Sequence, residues 1–186
     1  MKVSLTLFIS LASVVFVLGV AVGYFNTSEY QLTMYSQNAM NLGPTDAFLD
    51  KRYLEAMIAH HRGAMLLAQQ IETGTTRDEL KALSVEIQTN EPKLIAELYD
   101  WKKAWYKDIR PVRDPSVAQL GAADATIDLR FLNALIAHHE AGILMTQEVR
   151  TKTSRSEVLT NADAVEAFLK SSLVTLKQKR AEWFSV

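Results

Sequence analysis

The chain has 186 residues, enough for one domain with a proper hydrophobic core. Its 20 basic and 21 acidic residues leave a formal charge of -1, so it has no electrostatic footprint for nucleic acid. The absence of cysteine excludes disulfides, thiolate metal sites and a Cys nucleophile, and leaves His, Met, carboxylate or water to hold any metal.

After Lys2, the stretch Val3 to Phe25 carries no charge and is rich in Leu, Val, Ile, Phe and Ala, matching the ~20 apolar residues that cross a bilayer. Residues 1–25 are therefore read as a membrane anchor or signal segment. The length favours an uncleaved anchor, whereas Ala21-Val22-Gly23 has the small residues of a cleavage site. With Lys2 on the inner side, the remainder faces outward. The expected localisation is the cell envelope: held at the inner membrane and facing the periplasm, or free in the periplasm if cleaved. Residues 26–45 are a polar linker closing on Gly43-Pro44.

From there the chain repeats itself. Tyr53-Leu54-Glu55-Ala56-Met57-Ile58-Ala59-His60-His61 returns as Phe131-Leu132-Asn133-Ala134-Leu135-Ile136-Ala137-His138-His139, 78 residues later. The same offset carries Asp50 and Arg52 onto Asp128 and Arg130, Arg77 onto Arg155, and Trp105 onto Trp183. Residues 46–186 thus form a duplicated domain, with unit one at 46–110 and unit two at 124–186.

Each unit reads as a helical hairpin. Tyr53, Met57, Ala64, Leu67 and Ile71 recur at helical steps, and the Gly74 region ends that helix. Thr76 with Glu79 predicts a capping box for the next helix, which should kink at Pro92 and end near Ile109, before Pro111. In unit two, a helix from about Asp124 to Arg150 precedes a second cap at Ser154 and Glu157 and a last helix to the C-terminus. The expected fold is all-α, a four-helix bundle of two duplicated hairpins with an approximate two-fold axis, preceded by the N-terminal helix.

All four histidines lie in the two pairs. Apolar residues flank both members of each pair, so the imidazoles are expected to point inward or along the bundle seam. A buried polar ring without a partner costs about 1–3 kcal/mol. Either neighbouring helices supply hydrogen bonds, or a metal does, imidazole being the commonest nitrogen ligand. Met57, three before His60 and four before His61, is adjacent to both, and Met65 follows His61 by four. A thioether beside imidazoles suits copper, particularly Cu(I). At the matching positions unit two has Leu135 and Ile143, while Met145 lies seven residues beyond His138.

The segment Phe48-Leu49 through Met57-Ile58-Ala59-His60-His61-Arg62-Gly63-Ala64-Met65-Leu66-Leu67-Ala68, with its downstream helix, resembles the bacterial domain-of-unknown-function 305 family. The resemblance spans about Asp46 to Trp183. It implies a ferritin-like four-helix bundle, often exported, with a Met-x-x-His-His-x-x-Ala signature. Some members are implicated in periplasmic copper binding and resistance, which carries over to Met57, His60, His61, His138 and His139. Leu135 departs from the signature, as do Glu91, Leu94-Ile95 and Leu98 before Trp101, where the family tends to place a sulfur.

The expected function is copper buffering, transport or resistance, with a copper ion held by His60, His61, His138 and His139 and with Met57 and Met65 as soft co-ligands. The expected partners are that ion and the membrane, and no enzymatic activity is expected. The alternative is a metal-free structural or interaction module with buried His pairs. A di-iron enzyme would need Glu-x-x-His, but Met57, Ile58, Leu135 and Ile136 occupy the positions three before the histidines. Hydrolytic triads lack the strand-turn-helix nucleophile context.

Overall fold

The computed structural model describes residues 41–184, in which all regular secondary structure is helical. Four helices follow one another: α1 (Leu49–Glu72), α2 (Asp78–Tyr106), α3 (Ile127–Arg150) and α4 (Ser156–Phe184). The helix α1 packs on α2, α3 on α4, and the two hairpins join through α1 against α3. No described helix is long and apolar enough to cross a membrane. The apolar stretch from Val3 to Phe25 and most of the 26–45 linker lie outside the described residues.

Short loops and their polar partners set the helix boundaries. The threonine that receives the Arg77 amide is Thr75, at 3.0 Å, rather than Thr76. Its duplicate Thr153 receives the Arg155 amide at 3.1 Å. The hydroxyl therefore closes a tight turn one residue before each expected capping box, and the residue at the helix N-cap, Arg77, has no side-chain cap. The helix α2 runs through Pro92 and stops at Tyr106, because Lys107 adopts a left-handed φ of 53°. Asp108 follows and is drawn to Lys51 at 2.7 Å and to Arg110 at 2.6 Å. This anchor ends the helix before Ile109. Likewise α3 starts at Ile127 rather than Asp124, since the Asp124 carboxylate accepts the Thr126 amide at 2.8 Å and Arg130 Nη1 at 2.9 Å.

The duplication is visible atom by atom. Arg52 donates to the Leu42 carbonyl at 2.5 Å and to Asp46 at 2.9 Å. Arg130 donates to the Leu120 carbonyl at 2.5 Å and to Asp124 at 2.9 Å. Both loops turn on a glycine at positive φ, Gly43 at 73° and Gly121 at 75°. Other contacts exchange between the units. Arg155 binds Asp50 at 3.0 Å and stacks on Trp105 at 4.1 Å, while Arg77 binds Asp128 at 3.2 Å and stacks on Trp183 at 4.3 Å.

These reciprocal latches place the start of α1 beside the end of α3, so the two inner helices are antiparallel. Apolar residues fill two clusters. One holds Leu67, Ile71, Leu80, Ile127, Phe131 and Leu135, and the other Tyr53, Leu54, Met57, Leu98, Met145 and Val158. On α1 and α3 the histidine pairs fall between them.

The two Arg-Asp-Trp latches stand at opposite ends of helices that are about 35 Å long at about 1.5 Å per residue. Replacing Arg77 or Arg155 by Ala is expected to lower stability by about 1–2 kcal/mol each, from a cation-π contact and a partly exposed ion pair. The losses should add in the double variant, as urea denaturation will measure.

Candidate metal centre

Each His pair sits at the midpoint of its 24-residue helix. Because α1 and α3 run antiparallel about the approximate two-fold axis, the middle of one crosses the middle of the other, and His60 meets its own duplicate. The His60 and His138 rings stack with centroids 3.9 Å apart and planes 5° apart. His61 and His139 flank the stack, each with its ring centroid 6.1 Å from that of its neighbour in sequence. All four line a half-open cavity of about 620 Å³ that also takes in Glu91, Glu97, Trp101 and Phe168 from α2 and α4.

Small residues permit this approach. A Cβ on Gly142 would lie 2.7 Å from the His60 ring and 2.6 Å from Leu169 Cδ1. One on Gly63 would lie 3.2 Å from His138 Cε1. Sequence reasoning missed both glycines as site residues. Their signal was a glycine two or three residues after a His pair inside a helix, where glycine is otherwise unfavourable.

His61, His138 and His139 are buried, and His60 is partly buried against the cavity. Burial, followed by the neighbouring imidazoles, holds His60 and His138 well below the ordinary histidine range. Burial also lowers His139 to about 4, against a raising effect from the Leu135 backbone. These three rings are neutral at pH 7, the form that ligates a metal.

The outer histidines have dissimilar partners. His61 Nδ1 makes a close hydrogen bond to Glu91 Oε2, whereas His139 Nε2 bonds Ser172 Oγ at 2.9 Å.

The methionines lie elsewhere. Met57 is fully buried in one apolar cluster beside Met145, and Met65 is partly buried against the other. Neither Met57 nor Met65 lines the cavity.

The donors present fit a transition metal in type, being neutral imidazoles with carboxylates nearby. Their orientation is that of a ring stack. In-plane lone pairs of parallel rings run side by side without converging, so His60 or His138 must turn before both hold one ion. Among the described residues no three His, Asp or Glu side chains surround a common point.

Residues 50–115 match the family model described as a domain of unknown function, DUF305. The matched stretch spans the first hairpin and the start of the connection after it. No curated protein matches the chain. Among solved structures, the bundle is similar to CopM in its Cu(I)-bound form, with 26% identity, a TM-score of 0.64, and coverage of 73% of this chain and 97% of that one. CopM in the apo form gives 27% identity and a TM-score of 0.64, covering 73% and 98%. The Cu(II)-bound form gives 27% and 0.63, with the same coverage.

Two outcomes follow from this geometry. Gly142→Ala is expected to destabilise the protein by about 1–2 kcal/mol despite the better helix propensity of alanine, since its Cβ collides with a ring held in a stack. Thermal denaturation, with the His60 ring resonances as a local reporter, measures it. The second concerns acid. The unfolded chain, with histidines near 6.5, takes up protons before the folded one. Stability is therefore complete above about pH 6.5 and falls as pH drops toward 4, by up to about 1.4 kcal/mol per unit for each of His60, His138 and His139. The lowered carboxylates Asp46, Asp124 and Glu166 act below this window. Urea midpoints from pH 7.5 to 4.5 should show the loss, flattened in a His60→Gln/His138→Gln variant.

Proposed function

We propose that this chain is a copper-binding protein of the cell envelope, serving copper buffering, transport or resistance, in which His60, His61, His138 and His139 take up the ion. The observation that carries the reading is the convergence of all four imidazoles, two from each hairpin, on one half-open cavity. Neutral, buried imidazoles bind late first-row metals more readily than hard oxygen-preferring ions. Copper is favoured among them by the likeness to CopM, a protein solved with Cu(I), Cu(II) and Ag bound. The envelope placement draws on the apolar Val3–Phe25 stretch and supplies the compartment in which such a protein would meet the ion. Met57 and Met65 remain candidate soft ligands, and either would have to leave its packing to reach the cavity.

A metal-free structural module is the second reading. It draws on the His61–Glu91 and His139–Ser172 hydrogen bonds, which give each outer ring one polar partner without an ion.

Calorimetric titration of the full chain with Cu(I) and with Cu(II) separates the readings. Wild type should bind, and His60→Gln/His138→Gln, shown folded by circular dichroism, should lose at least about tenfold in affinity, while Met57→Leu should lose less than about tenfold. Equal and weak binding by wild type and the double histidine variant would favour the metal-free module.

A further inference from the structure

The two hairpins furnish the outer histidines differently. In unit one the helix packed against the pair carries Glu91 and, three residues on, Leu94. In unit two the matching positions are Leu169 and Ser172. Each outer imidazole thus has one polar partner from the neighbouring helix, but at a different helical step, so a different ring nitrogen is engaged. A carboxylate can only accept, so His61 Nδ1 carries the proton that bonds Glu91 Oε2. The lone pair of His61 is then on Nε2, at the ring tip. For His139 the tip nitrogen is itself engaged, by Ser172 Oγ at 2.9 Å.

From this asymmetry we infer that Glu91 is a positioning residue that fixes His61 as an Nε2 donor and biases the cavity toward divalent copper, while Ser172 withholds His139 from first capture. The inference rests on the copper reading above and specifies which side of the site acts first. A carboxylate hydrogen-bonded to the far nitrogen of a ligating imidazole fixes its tautomer and raises its basicity. It also places a negative charge beside the ion, which favours Cu(II) over Cu(I). Both side chains are mostly shielded from water, 8% exposed for His61 and 14% for Glu91, so the charge is little screened. The hydroxyl of Ser172 provides no such charge, and a metal approaching His139 Nε2 must first displace it.

The test uses the full chain with three substitutions. Glu91→Gln keeps an acceptor oxygen without the charge, Glu91→Ala removes both, and Ser172→Ala frees His139 Nε2. Imidazole 15N shifts of the metal-free protein should report His61 as the Nδ1–H tautomer in wild type and in Glu91→Gln, and as a mixture in Glu91→Ala. Cu(II) affinity should fall by about 10- to 100-fold in Glu91→Ala and by a smaller factor in Glu91→Gln, with Cu(I) affinity falling less in both. Ser172→Ala should leave Cu(II) affinity unchanged or raise it.

A wild-type His61 protonated on Nε2, or a folded Glu91→Ala protein within twofold of wild type for Cu(II), would overturn the inference. If wild type takes up no copper, the copper reading falls with it. If wild type binds, His60→Gln/His138→Gln does not, and Glu91→Ala matches wild type, the inference alone falls.

Discussion

The site depends on one geometric constraint: the approximate two-fold axis of the duplication crosses α1 and α3 at their midpoints. A residue at the middle of an antiparallel pair related by such an axis meets its own duplicate, and here that residue is histidine. His60 on His138 at 3.9 Å is the consequence. The apolar clusters at either end hold the two helices in this register, as do the exchanged latches of Arg77 on Asp128 and Arg155 on Asp50. Slipping one helix past the other by a turn would break both latches together. Two neutral polar rings are thereby held face to face by interactions formed at the bundle ends.

Where the units differ in sequence, the symmetric partner across the interface often differs too. Tyr53 in unit one corresponds to Phe131 in unit two. The extra hydroxyl of Tyr53 bonds Asn161 at 2.7 Å, and the position matching Asn161 is Leu83, packed against the cluster that contains Phe131. Each aromatic ring therefore finds a neighbour of its own polarity. The methionines behave similarly. Met57 and Met145 come from different units yet share one cluster, while their counterparts Leu135 and Leu67 share the other. Because the units exchange contacts, sulfur distinguishes one end of the bundle from the other rather than one hairpin from the other.

Much of the helical architecture was legible in the sequence because helical periodicity and a 78-residue offset without gaps are strong, local and additive signals. The clustering of the histidines followed once the axis was recognised. Boundaries were less legible, for a physical reason. Threonines stand in tandem at 75 and 76, and which hydroxyl closes the turn depends on backbone geometry that the pattern does not encode. Glu91 and Ser172 as histidine partners were not foreseen, because such bonds join residues 30 and 33 positions apart whose meeting depends on helix rotation. Gly142 was missed because a glycine that admits a ring from another helix looks, in one dimension, like any helix-weakening glycine. Met57 was expected beside both histidines from its spacing on α1. It shares an apolar cluster with Leu98 of its own hairpin and Met145 of the other, which shows how a side chain adjacent on one helix can be claimed by the core.

The central claim is that the axis makes one metal site from two hairpins. Anomalous diffraction at the copper edge, from crystals of the copper-loaded protein, tests it most directly. The account predicts a copper peak in the cavity at about 2 Å from imidazole nitrogens of both α1 and α3. Copper ligated by one hairpin alone, or found only outside the cavity with His60 and His138 still stacked, would contradict it.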